Sequence, residues 1–249
     1  MTPRTSILAL ALAASLGTSA MAAPPANIAA ALADPARPAA DVSRDAARKP
    51  GDLLALTGIK AGDKVADFVI GGGYFTRILS AAVGPTGHVY AYQPAEFIKF
   101  QASYGENLKT VAGAYKNVTP LDASLQQLDL PDGLDAIITV QNYHDLYLKG
   151  FPSDTAAKVD AELYKSLKPG GVFLVVDHAA LPGTGISAAD SLHRIDVEAV
   201  KKDLLAAGFV LESESNLLRD TADPHTAIVF DPSIRGKTDQ FVLIFRKPK

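Results

Sequence analysis

The chain has 249 residues, a formal net charge of −3 and no cysteine, and 48% of its residues are hydrophobic. Without cysteine there is no disulfide framework, and a weakly acidic chain without a basic stripe argues against binding of nucleic acid or of an anionic membrane surface. The length suits one domain with a sizeable core.

The first 22 residues have the pattern of a secretory signal peptide. Arg4 is their only charge, an apolar core runs from Ile7 to Leu16, and Ala20-Met21-Ala22 fits a small-x-small cleavage site. The apolar core is shorter than the roughly 18 to 20 residues that span a bilayer, although an uncleaved anchor remains the alternative. The sequence therefore predicts a mature protein that begins near Ala23 and is periplasmic or secreted.

Residues 23–249 are predicted to form a single domain, preceded by an Ala- and Pro-rich arm at residues 23–40 that is either mobile or wrapped on the domain. A helical pattern from Asp41 to Leu56 is interrupted at Pro50. The predicted strands are Val65–Ile70, His88–Tyr92, a short strand near Val118, Leu134–Val140, Val172–Val176, Phe209–Leu211 and Phe241–Phe245. The predicted helices are Phe75–Ala82, Ala95–Tyr104, Thr155–Leu167 and Val197–Ala207. Alternation of helices with continuous apolar strands predicts a parallel α/β sheet covered on both faces.

The stretch from Lys64 to Leu79 organises this pattern. An apolar strand ends in three glycines, Gly71 to Gly73, and a helical pattern follows. Glycines allow the backbone to turn tightly and to approach a ligand, and the N–H groups that open the helix face the same place. The order of strand, glycine turn and helix is half of a nucleotide-binding βαβ unit, or else an ordinary turn that closes a parallel strand.

The order of these signals resembles that of the class I S-adenosylmethionine-dependent methyltransferases. The matching stretches, in chain order, are VADFVIGGGYFTRIL, GHVYAYQP, LDAIITVQNYHDL and LYKSLKPGGVFLVVDHA. A closer resemblance, to an exported branch of predicted methyltransferases, is carried by QNYHDLY, LHRID and VFDPSIRGKTDQFVLIFRKP. The resemblance implies a Rossmann-like α/β fold with a seven-stranded, mostly parallel sheet and an antiparallel last strand.

The resemblance also implies S-adenosylmethionine as cofactor and a set of cofactor-binding residues. These are Asp67, Gly71, Gly73, Tyr74, Gln93 and Gln141. Two positions depart from the family pattern: Val69 takes the place of the first glycine, and Gln93 replaces the acid that accepts hydrogen bonds from the ribose hydroxyls. Loss of one charge-assisted hydrogen bond costs roughly 1.5–3 kcal/mol, about 10- to 150-fold in affinity. If the first position needs a positive φ, Val69 adds about 1–2 kcal/mol of strain.

Ligands of open α/β sheets bind beyond the carboxyl ends of the strands, and three histidines follow predicted strands at that edge. The predicted catalytic residues are His144, Asp145, His178, His193 and Tyr143, with histidine suited to act as a general base. Tyr74, Tyr92, Tyr143 and Tyr147 are predicted to line a pocket for a flat organic molecule. Asp145, Asp177 and the histidines include donors for a 2-His-1-carboxylate metal site, but no tight spacing supports one and no metal is predicted.

These features leave three functions open for a small-molecule substrate. The first is methyl transfer from S-adenosylmethionine to a small, aromatic acceptor, which the fold resemblance favours. The second is a cofactor-independent lyase, which performs elimination or C–C cleavage on a methyltransferase fold without the cofactor. The third is a periplasmic binding protein without enzyme activity. The segment from Asp231 to Asp239 is predicted to be a lid over the sheet edge.

Overall fold

The structure, a computed structural model, describes residues 23–249, so the predicted signal segment, residues 1–22, lies outside the described residues. Within the described part, seven strands form one sheet. They are β1 Lys64–Phe68, β2 His88–Tyr92, β3 Val118–Leu121, β4 Leu134–Val140, β5 Leu167–His178, β6 Val210–Ser215 and β7 Gln240–Arg246. Their order is β3-β2-β1-β4-β5-β7-β6, and β7 runs antiparallel to both of its neighbours. The predicted fold class, with its antiparallel last strand, is confirmed.

Ten α-helices accompany the sheet in residues 23–249. They are α1 Ala26–Leu32, α2 Ala39–Val42, α3 Asp45–Arg48, α4 Pro50–Thr57, α5 Tyr74–Val83, α6 Ala95–Phe100, α7 Ser103–Ala114, α8 Thr155–Ser166, α9 Ala189–Leu192 and α10 Val197–Ala206. None of these helices combines the length and the hydrophobicity that a bilayer-spanning helix needs.

The central strands are buried on both faces, as their continuous apolar sequences predict. In β4, Ile138 packs into one core cluster with Ile78 and Leu79 of α5, and Ile137 packs into a second cluster with Val159 of α8. Two apolar layers on opposite faces hold the sheet rigid, so the carboxyl ends of its strands are a stable platform for a site.

The N-terminal arm wraps onto the domain. Ile28 of α1 is fully buried, and the Asn27 side chain donates to the carbonyl oxygens of Ile59 and Ala82 at 3.1 and 3.2 Å. The short helices α2 and α3 follow, and Pro50 opens α4 as predicted. The arm therefore brings α3 to the edge of the sheet where β1 ends.

The predicted helix from Ala95 to Tyr104 is wrong in extent, because the chain forms two helices there. Gln101 has an extended backbone (φ −143°), which ends α6, and α7 then begins at Ser103. Gly105 and Gly113 lie inside α7 and weaken its helical signal in the sequence, since glycine is a poor helix former. Helix α7 packs through Leu108 and Val111, and it borders the glycine loop.

Candidate functional site

Three neighbouring cavities lie at the edge of the sheet where β1, β4 and β5 end. We call them the glycine-loop cavity (about 180 Å³), the arginine cavity (about 470 Å³) and the aromatic cavity (about 600 Å³). Gln141, which follows β4, lines all three, and His178 at the end of β5 lines the last two. The three cavities therefore form one continuous site, at the place that parallel α/β sheets use for ligands.

The glycine-loop cavity is floored by the turn between β1 and α5. A methyl group added to Gly71 or Gly72 meets no atom within 4 Å, so these backbone positions face open space. Gly73 is different, because its added Cβ would lie 2.4 Å from a methyl carbon of Val111. Gly71 and Gly72 thus leave room for a ligand, whereas Gly73 leaves room for helix α7.

Val69, in the place of the family's first glycine, has a left-handed backbone (φ 69°), which β-branched residues rarely adopt. Its N–H donates to the carbonyl oxygen of Tyr92 at 2.9 Å, and its own carbonyl accepts from the Asn142 side chain at 3.2 Å. Gln141, also at a strand end, has φ 68°. Backbone strain of this kind persists where the surroundings hold it, and it concentrates at functional sites.

Asp67 is fully buried near the end of β1 and accepts a hydrogen bond from the Thr76 hydroxyl at 2.6 Å. Burial raises the pKa of this carboxyl to about 6, against the opposing effects of the Thr76 hydrogen bond and of the Arg48 charge. Asp67 therefore ties the end of β1 to the first turn of α5 and also lines the glycine-loop cavity.

Gln93 is completely buried and supports the glycine loop from below. Its amide oxygen accepts the N–H of Gly71 at 2.9 Å, whereas its Nε2 is buried without a hydrogen-bond partner in the described part of the chain. Gln93 lines none of the three cavities. An amide at this position has a donor group and no charge, whereas the carboxylate of the family pattern has only acceptors.

Two arginines at the two ends of α3, Arg44 just before it and Arg48 at its last position, line both the glycine-loop cavity and the arginine cavity. Their guanidinium carbons lie 4.9 and 4.5 Å from the ring centre of Tyr74. The nearby carboxylates are engaged elsewhere, since Asp41 pairs with Arg77 and Asp45 with Arg37.

The Nε of Arg48 is buried and has no hydrogen-bond partner within residues 23–249. Burial, reinforced by repulsion from Arg44, lowers the pKa of Arg48 to about 10. Arg44 is exposed and Arg48 half-buried, and neither forms an ion pair within residues 23–249, so this pair favours an anionic ligand group in the cavity.

Four predicted or candidate residues meet at the ends of β4 and β5. The Nδ1 of His144 lies 2.8 Å from a carboxylate oxygen of Asp177, and its Nε2 lies 3.2 Å from both Asp145 Oδ1 and His193 Nδ1. Burial lowers the pKa of His144, but the charges and hydrogen bonds of Asp177 and Asp145 outweigh it and raise the pKa to about 10. Contact with two carboxylates therefore favours the protonated form of His144.

His178 has the opposite electrostatic environment. Burial, which outweighs the charge of Asp177, lowers the pKa of His178 to about 4, and its Nδ1 lies 2.7 Å from the Thr238 hydroxyl. Its ring is neutral at pH 7 and borders two cavities, so it can accept a hydrogen bond from a ligand. His225 pairs instead with Asp239 at 2.9 Å and lines none of the three cavities, and His88 bonds Thr119 at the start of β2.

The sequence missed most of the aromatic lining. Of the four predicted tyrosines, Tyr74 lines the glycine-loop cavity, whereas Tyr92 and Tyr143 are buried in the core and Tyr147 bonds Asp203. Tyr143 donates to Asp160 at 2.8 Å, so its hydroxyl is turned away from the proposed chemistry. The aromatic cavity is lined instead by Phe97, Phe100, Tyr104, Phe151 and Phe230. These residues come from helices and loops that the sequence did not place at this edge.

The segment before β7 covers the site and is held in place by a buried ion pair. Arg194 is fully buried and forms a bidentate pair with Asp223 at 2.8 and 3.0 Å. The covering segment contributes Val229, Phe230 and Arg235 to the cavity walls. The predicted lid position is therefore a packed cover in this structure.

No protein-family model matches the chain. It is 30% identical over 128 residues to a ubiquinone/menaquinone biosynthesis C-methyltransferase UbiE of Saccharophagus degradans, which is 50% of this chain and 46% of that protein. The chain thus spans about half the length of the curated relatives it matches.

Two solved structures match over most of the chain. A SAM-dependent methyltransferase from Aquifex aeolicus aligns with a TM-score of 0.59 at 22% identity, over 82% of this chain and 92% of that one. A putative sarcosine dimethylglycine methyltransferase from Galdieria sulphuraria aligns with a TM-score of 0.59 at 19% identity, over 84% and 88%. At these identities the likeness shows the fold.

Proposed function

We propose that this chain, whose fold and sequence are similar to those of class I S-adenosylmethionine-dependent methyltransferases, transfers a methyl group from S-adenosylmethionine to a small acceptor in the aromatic cavity. The names of its relatives and the order of its strands support this reaction class. The aromatic rings of the cavity favour a flat acceptor, because such rings stack on one another.

The observation that carries the proposal is that Arg44 and Arg48, which lie over the glycine loop, form no ion pair within residues 23–249. Arg44 and Arg48 supply positive charge beside the open backbone of Gly71 and Gly72. The amino-acid end of S-adenosylmethionine has a carboxylate that would satisfy this charge. Bound there, the cofactor supplies an electrophilic methyl group on a sulfonium ion.

The ribose end of the cofactor has a weaker partner. Gln93 has no negative charge, and its amide oxygen is occupied by Gly71, which leaves its Nε2 as the free group. The missing charge-assisted bond corresponds to about 10- to 150-fold in affinity. The strain at Val69 acts differently, because the free protein already has φ 69° there, so its cost falls on the stability of the fold and not on cofactor binding.

On the acceptor side, His178 is the residue suited to hold an acceptor hydroxyl, since it is neutral and lines the aromatic cavity. Both ring nitrogens of His144 contact carboxylates, those of Asp177 and Asp145, so His144 is not assigned to bind the acceptor hydroxyl. We assign that hydrogen bond to His178.

Calorimetry with S-adenosylmethionine tests the proposal. Replacing Arg48 by Gln removes the charge that faces the cofactor carboxylate, so we expect binding to weaken about tenfold or more. Arg246→Gln is the matched control, because Arg246 pairs with Glu212 on the edge strands and is remote from the three cavities. Equal affinity of the Arg48→Gln and Arg246→Gln variants would contradict the assignment of Arg48.

We further propose that the protein acts after export, on the basis of the pattern in residues 1–22. Export predicts mature material that begins near Ala23. N-terminal sequencing of the periplasmic or secreted protein would check this, and an intact Met1 on that material would contradict it.

A further inference from the structure

Three side chains at the wall of the aromatic cavity present their ligand atoms to one point. The Nε2 of His144 lies 3.2 Å from Nδ1 of His193 and 3.2 Å from Oδ1 of Asp145, and the latter two atoms are 3.6 Å apart. They come from two connections that are far apart in sequence, one after β4 and one after β5. The three atoms form a nearly equilateral triangle, whereas a hydrogen bond between two of them would not require the third atom to lie close to both.

The size of this triangle suits a transition-metal ion. Zinc binds His nitrogen and carboxylate oxygen at about 2.0–2.2 Å, so neighbouring ligand atoms around a tetrahedral ion are about 3.3–3.6 Å apart. The three separations in the structure nearly match this range. The donor set of two imidazoles and one carboxylate favours zinc or iron over calcium and magnesium, which prefer all-oxygen sites.

The ligands are held in place by a second layer of contacts. Asp177 accepts from Nδ1 of His144 at 2.8 Å and from its backbone N–H at 2.7 Å, which fixes the ring with Nε2 toward the triangle. A carboxylate on the far nitrogen of a ligating histidine is the usual support in protein metal sites. His193 has a left-handed backbone (φ 52°), and the centre of its ring lies 4.8 Å from the centre of the Phe230 ring.

The charge of the cluster also fits a cation. Asp145 and Asp177 together bring two negative charges to a largely buried place, and a divalent ion would balance both. His144, Asp145 and His193 all border the aromatic cavity, which gives a bound ion an open side toward that cavity. A ligand in the cavity could reach that side with an oxygen atom.

We propose that His144, Asp145 and His193 form a site for a divalent transition-metal ion, typified by Zn²⁺, with an open coordination position facing the aromatic cavity. A hydroxyl or carboxylate oxygen of the molecule in that cavity completes the coordination. The ion orients this oxygen and lowers the pKa of a bound hydroxyl, as a Lewis acid does. The site is independent of the arginine pair and of S-adenosylmethionine.

Titration of the chelator-treated full chain with Zn²⁺ tests the proposal by calorimetry. We expect one ion per chain, and at least a hundredfold loss of affinity in His193→Ala and in Asp145→Asn. Asp177→Asn is expected to weaken binding about 10- to 100-fold, because it changes the support and not a ligand. His88→Ala and His225→Ala are matched controls that remove a histidine outside the triangle and should leave the affinity unchanged.

A second readout uses Co²⁺, whose visible absorption reports the ligands. The wild-type protein should give the intense bands of a four- or five-coordinate site, and His193→Gln should abolish them while thermal unfolding shows the variant folded. Failure of the wild-type chain to bind Zn²⁺, or equal binding by His193→Ala and His88→Ala, would overturn the proposal. Neither result bears on the proposed function, because S-adenosylmethionine is absent from the titration.

Discussion

At the scale of single residues, the site contains buried polar atoms that have no hydrogen-bond partner in the described part of the chain. Arg48 has a buried Nε without a hydrogen-bond partner, and Gln93 has a buried amide nitrogen without an acceptor, each within the described chain. Such groups are rare in folded proteins because their desolvation is not compensated. Both lie beside the glycine loop, which is the strongest physical reason to place a ligand there.

Asp160, on α8, provides a residue-scale prediction outside the site. Burial raises the pKa of this carboxyl to about 8, despite the hydrogen bond from Tyr143 that favours its charged form. Because the folded-state pKa lies above the ordinary value of 3.8, this group stabilises the fold fully below pH 4 and loses that contribution as the pH rises through about 8.

We expect Asp160→Asn, which resembles the neutral acid, to remove this dependence. The loss in the wild type amounts to at most about 1.4 kcal/mol per pH unit within that window. Urea unfolding at pH 5 and pH 9 is the measurement, and the variant should gain stability relative to the wild type at pH 9. An identical pH profile of the two proteins would show that Asp160 titrates normally.

At the scale of elements, the glycine loop serves two neighbours, and two substitutions separate them. Gly73→Val drives a side chain into Val111 of α7 at a position with φ 77°, so we expect a loss of about 2–5 kcal/mol of unfolding free energy. A Cβ added at Gly72 meets no protein atom within 4 Å, so Gly72→Val should keep the stability of the fold while it weakens cofactor binding, because Gly72 lines the cavity.

Thermal unfolding and calorimetry on both variants check this contrast. A normal melting temperature for Gly73→Val would mean that α7 does not pack against the loop as described. Unchanged affinity in Gly72→Val would mean that the cofactor does not use this cavity.

The elements that the sequence predicts best are those whose signal is local. Strand β4 is a continuous apolar run bounded by turn residues, and its predicted limits, Leu134–Val140, are the observed ones. The sequence did not predict helix α7, because two glycines lower its helix propensity and only Leu108 and Val111 pack against the core. The stability of α7 comes from tertiary packing, which the helix propensities of its residues do not describe.

The same distinction holds for the site. The histidine edge was predicted because residues that follow parallel strands meet at one end of a sheet. The triangle of His144, Asp145 and His193 was not, because its ligands come from separate connections with no common spacing. The sequence also does not reveal that Arg48 has no ion-pair partner within residues 23–249, because that depends on the pairing of Asp41 and Asp45 with other arginines.

At the scale of the whole molecule, the fold places three adjoining cavities around Gln141. The glycine-loop cavity suits the amino-acid end of the cofactor, and the aromatic cavity suits an acceptor. The covering segment, anchored by Arg194 and Asp223, lines the arginine and aromatic cavities.

The central claim is that this site binds S-adenosylmethionine, and titration calorimetry of the wild type beside Gln93→Glu tests it most directly. We expect one molecule per chain, with tighter binding in Gln93→Glu by about 10- to 150-fold, because the carboxylate regains the charge-assisted bond to the ribose. In the absence of ligand this variant should melt at a lower temperature, since its new charge is fully buried. No detectable binding by either protein would contradict the claim and would leave the cofactor-independent lyase as the function to test.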